Sequence, residues 1–235
     1  MKILELSGIV GYHFTYDSIK SELSKLKKGD SVTINLRSPG GAANEAMQIY
    51  ELLKDYDVTV NIIGMCASAA TVISQAAAKG KLFISEISGE YLVHQARYDT
   101  FSLMFAYSGL KTQDLDDLKS GLEISNEQQV NIFTDRNVKK EVVLDAISNE
   151  TVFSPKQAVE LGFVDGYIED KQFAKNALQK SNAVLMATLM ANYENKDKNS
   201  SSNLIDNEQI SNNNGDGSME IKELTAKLES AEQSL

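Results

Sequence analysis

The chain is predicted to fold as an α/β domain with a mostly parallel sheet, and three observations carry that prediction. Short apolar runs alternate with segments of helical period from residue 1 to about residue 170. The runs are closed by breaks rich in glycine, proline or small residues. Apolar residues make up 42 % of the chain, enough to build a core between layers. Strands that alternate with helices pair in parallel through right-handed crossovers.

Taken in order, Val32-Thr33-Ile34-Asn35-Leu36 is a β-rich run that breaks at Ser38-Pro39-Gly40-Gly41, with a helix expected from about Ala42 to Leu53. Val58-Thr59-Val60-Asn61-Ile62-Ile63 is a second strand, expected to break at Gly64. The next helix, about Ala67 to Ala78, is apolar nearly all round and is predicted to be buried. Short strands follow near Lys81–Ile84 and Tyr91–His94, then helices over about Thr112–Phe133 and Lys139–Ile147. One short helix is sharply bounded: Ser154 is its N-cap, Pro155 its first residue, Gln157 completes a capping box and Gly162 ends it. Phe163 to Ile168 reads as a last strand.

The sequence of 235 residues suits one good-sized domain plus an appendage at a prior of roughly 150 residues per domain. Composition changes near residue 192. Residues 1–170 form the predicted domain and 171–191 a helical extension, while 192–218, rich in Asn, Ser and Asp, read as a disordered linker. From Met219 to Leu235 the spacing of Ile221, Leu224, Leu228, Ala231 and Leu235 makes an a/d seam. At about two heptads it is too short to be stable alone and reads as the start of a coiled coil or as an amphipathic tail.

With 33 acidic against 23 basic residues the net charge is −10, which argues against a nucleic-acid partner, since that needs a basic face. No apolar stretch approaches the roughly 18 residues of a membrane span. Nor does Met1 to Leu6 read as a secretory signal. A single cysteine, Cys66, excludes an intramolecular disulfide framework and a multi-cysteine zinc site, and suits a reducing cytosol.

Three segments could carry chemistry. In Gly64-Met65-Cys66-Ala67-Ser68-Ala69-Ala70 a strand meets a buried helix through small residues. Ser68 there is either a helix cap or a nucleophile at the positive end of the helix. In Ser38-Pro39-Gly40-Gly41 the glycines bare backbone N–H groups, so the loop is either a plain turn, a lining for an extended peptide or an oxyanion donor. His94 ends an apolar strand, where ligands gather in open α/β sheets. A serine nucleophile needs a base, and only His13 and His94 are available. His13, between Tyr12 and Phe14, is read as a surface or packing residue. Cys66 is read as a small packing group.

Together these segments resemble the Clp-type serine peptidases. GMCASAAT is similar to their nucleophile segment, NLRSPGG to their strand and glycine loop, and YLVHQA to their histidine segment. Phe153 to Asp165 is similar to the stretch that follows their acidic residue. The resemblance implies a crotonase-like spiral of ββα units, ring-shaped homo-oligomers and a Ser-His-acid triad that uses neither cofactor nor metal. Residue by residue it implies Ser68 as nucleophile, His94 as general base, and an oxyanion hole from the N–H groups of Gly41 and Ala69, with Gly40 beside the substrate. Glu150 falls at the acid position, with Asp135 and Asp145 as alternatives. Glutamate there is similar to the Clp-like prohead proteases of phages, which implies capsid and scaffold proteins as substrates and a place in the assembling prohead in the host cytoplasm. The charged C-terminal segment suits the same reading. Three other uses of the fold stay open: an ATPase-dependent Clp-type peptidase, a crotonase-type acyl-CoA enzyme and a non-catalytic assembly module. Ala96-Arg97-Tyr98-Asp99-Thr100 replaces the glycine-rich continuation usual in the family.

Overall fold

The computed structural model describes residues 2–98 and 111–169 continuously, and Leu103, Gly109, Phe173 and Asn176 beyond them. The expected extension over 171–191, linker over 192–218 and coiled-coil start over 219–235 lie outside the described residues, apart from Phe173 and Asn176.

Strand β1 (Lys2–Ser7) opens the domain and alternates as a half-covered strand should, with Leu4 and Leu6 buried. Helix α1 (Tyr16–Leu23) is capped reciprocally by Thr15 and Ser18. Neither element was expected from the sequence. The others follow in the anticipated order: β2 (Ser31–Ser38), α2 (Ala43–Leu53), β3 (Asp57–Ala67), α3 (Ala69–Ser74), β4 (Leu82–Ile84) and β5 (Glu90–Leu92). After them come α4 (Thr112–Asp135), α5 (Lys140–Asn149), α6 (Pro155–Glu160) and β7 (Gly166–Tyr167), the last within the strand expected over Phe163–Ile168, while β6 (Val152–Phe153), between α5 and α6, is a further strand the sequence does not announce. The capping box and first-turn proline of α6 are present as read from the sequence.

The sheet runs β1-β2-β3-β4-β7, with β5 on β3 and β6 on β5, and every pairing except β5–β6 is parallel. Two boundaries differ from expectation in an informative way. The strand expected to stop at Gly64 continues to Ala67 because β3 serves two ladders: Val60–Ile62 pair with β4, and Met65–Ala67 pair with β5. The helix expected from Ala67 to Ala78 begins only at Ala69 and ends at Ser74, after which Ala76 and Ala77 continue as i→i−3 turns. All six residues of α3 are buried, as its all-round apolar sequence predicts.

Behind β5 lies an aromatic cluster. Phe163 is fully buried and meets three rings: Phe153 at 4.9 Å, Phe133 edge-on at 5.4 Å and Tyr91 at 5.6 Å between centroids. Tyr91 is equally buried and its hydroxyl lies 3.1 Å from that of Ser74 and 2.8 Å from the Gln75 amide nitrogen, which also donates to the Phe163 carbonyl. These bonds fasten the end of α3 to β5, the strand that leads to His94, and so tie it to the helix preceded by Ser68. Among the described residues no helix is long and apolar enough to cross a membrane.

Phe163→Ala is expected to cost about 3–5 kcal/mol, because it empties a site ringed by aromatic side chains. Ile87→Ala, at a side chain 69 % exposed, is expected to change stability by less than about 0.5 kcal/mol. Urea unfolding of the two variants beside the wild type measures both.

Candidate active site

Backbone register alone brings the three candidate segments to one place. On β3 and β5, Met65, Cys66 and Ala67 pair with Glu90, Tyr91 and Leu92, and the Ser68 N–H donates to the Leu92 carbonyl at 2.9 Å. Ser68 therefore stands beside Val93, one residue short of His94. On the other side, antiparallel β6 sets Phe153 against Tyr91 and Val152 against Leu92, and the Val93 N–H reaches the Thr151 carbonyl at 3.3 Å. One step further along that register, Glu150 comes opposite His94.

Ser68 has φ 56° and ψ −128°, a conformation that non-glycine residues rarely take and that costs on the order of 1–3 kcal/mol. Its side chain makes no capping bond to α3, so the cap alternative for this serine is not what the structure uses. Instead its carbonyl accepts from the Thr71 N–H at 2.9 Å and from the Thr71 hydroxyl at 2.6 Å, and the side chain faces a cleft.

The glycine loop closes over this serine. Ser38, fully buried, accepts the Gly40 N–H at 3.0 Å and so tightens the turn after β2. Gly40 has φ +96°, and a Cβ there would sit 2.6 Å from the Ser68 Cβ and 2.7 Å from the Ala67 carbonyl oxygen; only glycine lets the two backbones meet. Gly41 forms a parallel bridge with Val10 in which the Gly40 carbonyl accepts from Val10 and the Ala42 N–H donates to Val10. Alternation along that bridge turns the Gly41 N–H away from Val10.

The cleft has a volume of about 1080 Å³, at the upper limit of the roughly 300–1,000 Å³ usual for ligand sites. Ser68, Ala69, Gly41, His94 and Arg97 all line it. Asn44, Gln48, Gln95, Gln128 and Gln129 give it an amide-rich wall, and Met47, Val72 and Leu122 an apolar one.

His94 does not touch Glu150 directly. Its Nδ1 lies 2.6 Å from the Gln95 carbonyl oxygen. Arg97 Nη2 lies 3.3 Å from the same Nδ1 and 3.5 Å from Glu150 Oε2, so the guanidinium stands between imidazole and carboxylate. Among the described residues no hydrogen bond joins Ser68 to His94. The three acids separate clearly. Asp145 accepts the Asn149 side-chain amide at 2.9 Å on α5. Asp135 ends α4 beside Tyr50, whose hydroxyl is held above its ordinary pKa chiefly by burial. Glu150 alone of them contacts a residue of the cleft. Arg97 was noted in the sequence only as a departure from pattern, and its place follows from β5–β6 pairing that two-residue β6 hardly signals.

Cys66 is fully buried, and burial pushes its thiol far above the ordinary range, against a smaller opposing effect of a hydrogen bond with Ser74. It faces the core rather than the cleft, as its packing role required. Among the described residues no three His, Cys, Asp or Glu side chains cluster closely enough to hold a metal ion.

Comparison with known proteins agrees with this geometry. The Clp protease family model matches residues 10–171. The chain is 26 % identical over 178 residues to an ATP-dependent Clp protease proteolytic subunit of Streptococcus uberis, an alignment covering 73 % of this chain and 86 % of that protein. It is 29 % identical over 166 residues to the chloroplastic ATP-dependent Clp protease proteolytic subunit 4 of Arabidopsis thaliana, covering 66 % of this chain and 52 %, about half, of that longer protein. Among solved structures, a ClpP1 point mutant from Listeria monocytogenes superposes with a TM-score of 0.61 at 19 % identity, covering 74 % of this chain and 94 % of that one, which establishes the likeness of fold. With a family model spanning most of the sequence and a matching, mostly parallel α/β fold beneath it, this chain belongs to the Clp protease family.

Proposed function

We propose that the protein is a serine endopeptidase acting on extended polypeptide segments, with Ser68, His94 and Glu150 as its triad. The observation that supports the reading is the register β3–β5–β6, whose continuation past the paired residues leads Ser68, His94 and Glu150 toward the same end of neighbouring strands. Ser68 Oγ attacks the scissile carbonyl while His94 Nε2 takes its proton. The C–N bond then breaks as the imidazolium returns that proton to the leaving amine, and the acyl-enzyme remains. Water attacks the ester in the second half, deprotonated by the same nitrogen, and Ser68 leaves with the proton. The oxyanion of each tetrahedral intermediate is met by the N–H groups of Gly41 and Ala69. The substrate backbone lies along Gly40, where no side chain intervenes.

A proton on Nδ1, donated to the Gln95 carbonyl oxygen 2.6 Å away, is the tautomer that leaves Nε2 free to accept from serine. Glu150 takes over as acceptor once Arg97 swings aside. That movement is cheap: Arg97 and Glu150 are 63 % and 55 % exposed, and an exposed ion pair contributes about 0–1 kcal/mol.

For the natural substrate we propose capsid and scaffold proteins of a phage prohead, processed by a homo-oligomeric ring in the host cytoplasm. Two features support this: glutamate at the acid position and the polar, then heptad-patterned sequence after residue 192. The Streptococcus and Arabidopsis relatives are ATP-dependent Clp protease proteolytic subunits by name, which favours a second reading, a peptidase served by an ATPase. Co-expression with a coat and scaffold pair separates them: cleavage without an added unfoldase supports the first, and cleavage only with unfoldase and ATP supports the second.

Ser68→Ala is expected to remove most activity, on the order of 10⁶-fold, and all labelling by a fluorophosphonate probe, with an unchanged melting profile. Cleavage by Ser68→Ala at the wild-type rate would refute the assignment. Cys66 is expected to resist iodoacetamide at pH 8.5 in the native protein and to react after unfolding, read by mass spectrometry; alkylation of native enzyme would contradict its buried, neutral thiol. Glu150→Gln is expected to lower kcat by up to about 10⁴-fold, the loss seen when the acid of a Ser-His-Asp protease becomes an amide. Arg97→Gln is expected to leave kcat equal to the wild type or above it. A loss in Arg97→Gln as large as in Glu150→Gln would show that the guanidinium belongs to the machinery.

A further inference from the structure

The second histidine of the chain lies outside the cleft, and its ring is built into the loop that braces it. The Ile9 N–H donates to His13 Nδ1 at 2.9 Å, and the His13 main-chain N–H returns a bond to the Ile9 carbonyl at 2.9 Å. Since Nδ1 accepts, the ring proton sits on Nε2, and that atom is buried with no hydrogen-bond partner among the described residues. Mere packing does not ask for this: an orphaned buried N–H is costly, and an apolar ring would fill the space without it. The neighbours are arranged to admit the ring. A Cβ on Gly8 would lie 2.7 Å from the His13 Cγ, and Tyr12 meets the imidazole edge-on at 4.8 Å.

Residues Ile9 and Val10 are the surface against which the glycine loop is set. Val10 donates to the Gly40 carbonyl at 2.8 Å and accepts from the Ala42 N–H at 3.1 Å. A Cβ on Gly41 would come within 2.3 Å of the Val10 carbonyl oxygen and 2.9 Å of the Ile9 Cγ2, so Gly41 is in tight contact with both. A rotation of the Ile9 peptide therefore carries Val10 with it, and with Val10 the direction of the Gly41 N–H.

We infer that His13 is a positioning residue for the oxyanion loop: the lone pair on Nδ1 holds the Ile9 peptide, and the Ile9–Val10 segment aims the Gly41 N–H. The inference rests on the peptidase reading of the cleft. Full-length wild type, His13→Asn, His13→Gln and His13→Leu are compared by fluorophosphonate labelling of Ser68 and by kcat and KM on an activated ester, with thermal melts run alongside. Asparagine places its Oδ1 near the position of Nδ1 and is expected to keep kcat near wild type. Leucine lacks an acceptor, and glutamine carries its own one bond too far. Both are expected to lose about 10- to 100-fold in kcat with little change in KM, part of the 10²–10³ lost when an oxyanion donor is deleted. Should the leucine variant fail to fold, the asparagine–glutamine pair decides. Equal kcat in asparagine and glutamine variants, whether both fall or neither does, overturns the inference. A wild type that the probe does not label at Ser68 overturns the peptidase reading and this inference with it, whereas a labelled wild type with indifferent His13 variants overturns the inference alone.

Discussion

Everything at the cleft depends on three residues of backbone pairing, Met65–Ala67 of β3 against Glu90–Leu92 of β5. The β3 strand is longer than its first ladder needs. Its last three residues leave β4 behind and pair with β5, to which β6 is added, while Cys66 still pairs with Ser38 of β2. That split ends the strand at a place where Ser68, His94 and Glu150 arrive from different parts of the chain. A one-residue slip would turn the pleat and send the side chains to opposite faces. The slip is opposed by buried chemistry on both strands: Cys66 and Tyr91, paired across the ladder, are both fully enclosed, and Tyr91 is bonded to Ser74 and Gln75 behind it.

The same anchoring explains how Ser68 keeps an unfavourable backbone. A φ of 56° in a residue with a Cβ is held only where both flanks are fixed. On one flank its N–H is bonded to β5; on the other, α3 is wholly buried and fastened at its end through Ser74 and Gln75. The strain lifts the serine side chain out of the helix cap and toward the cleft. Gly40 completes the arrangement, since any side chain at that position would meet the Ser68 Cβ. Strand, strained serine and glycine turn are therefore one unit, and each part would be unstable without the others.

What could be read from the sequence follows the range of the interactions. The glycine loop, the small-residue turn before α3 and the capped helix at Pro155 are local patterns, legible because local chemistry decides them. Strand β1 was missed although Leu4 and Leu6 alternate correctly, because a six-residue run beginning at the second residue has no turn signal before it. Helix α1 was missed because its capping box closes with Ser18, where glutamate or glutamine is the usual signature. Strand β6 has two residues and exists only through its partner β5. The positions of Arg97 and His13 are tertiary in the same sense. Nothing in the neighbours of Arg97 announces Glu150, which is contacted across a strand pairing, and nothing beside His13 announces that its ring nitrogen receives the Ile9 N–H.

The electrostatics of the acid position carry the argument one step further. Glu150 caps α5 in the left-handed conformation, at φ 48°, so its carboxylate sits at the negative end of a helix. A carboxylate in that place gains from any cation brought near it, and two are within reach, the Arg97 guanidinium and a protonated His94. Arg97 holds the place with a 3.5 Å contact that solvent screens heavily. An imidazolium formed during acylation would compete for the same oxygen from inside the cleft, where a bound peptide excludes water and the pairing is correspondingly stronger. On the triad proposed above, exchange of one cation for the other would be driven by substrate occupancy itself. Of the side chains that line the cleft, Arg97 is the sole permanently charged one among the described residues, in a chain of net charge −10. A cleft walled by amides and apolar groups suits the backbone of the extended segment proposed as substrate better than it suits charged side chains.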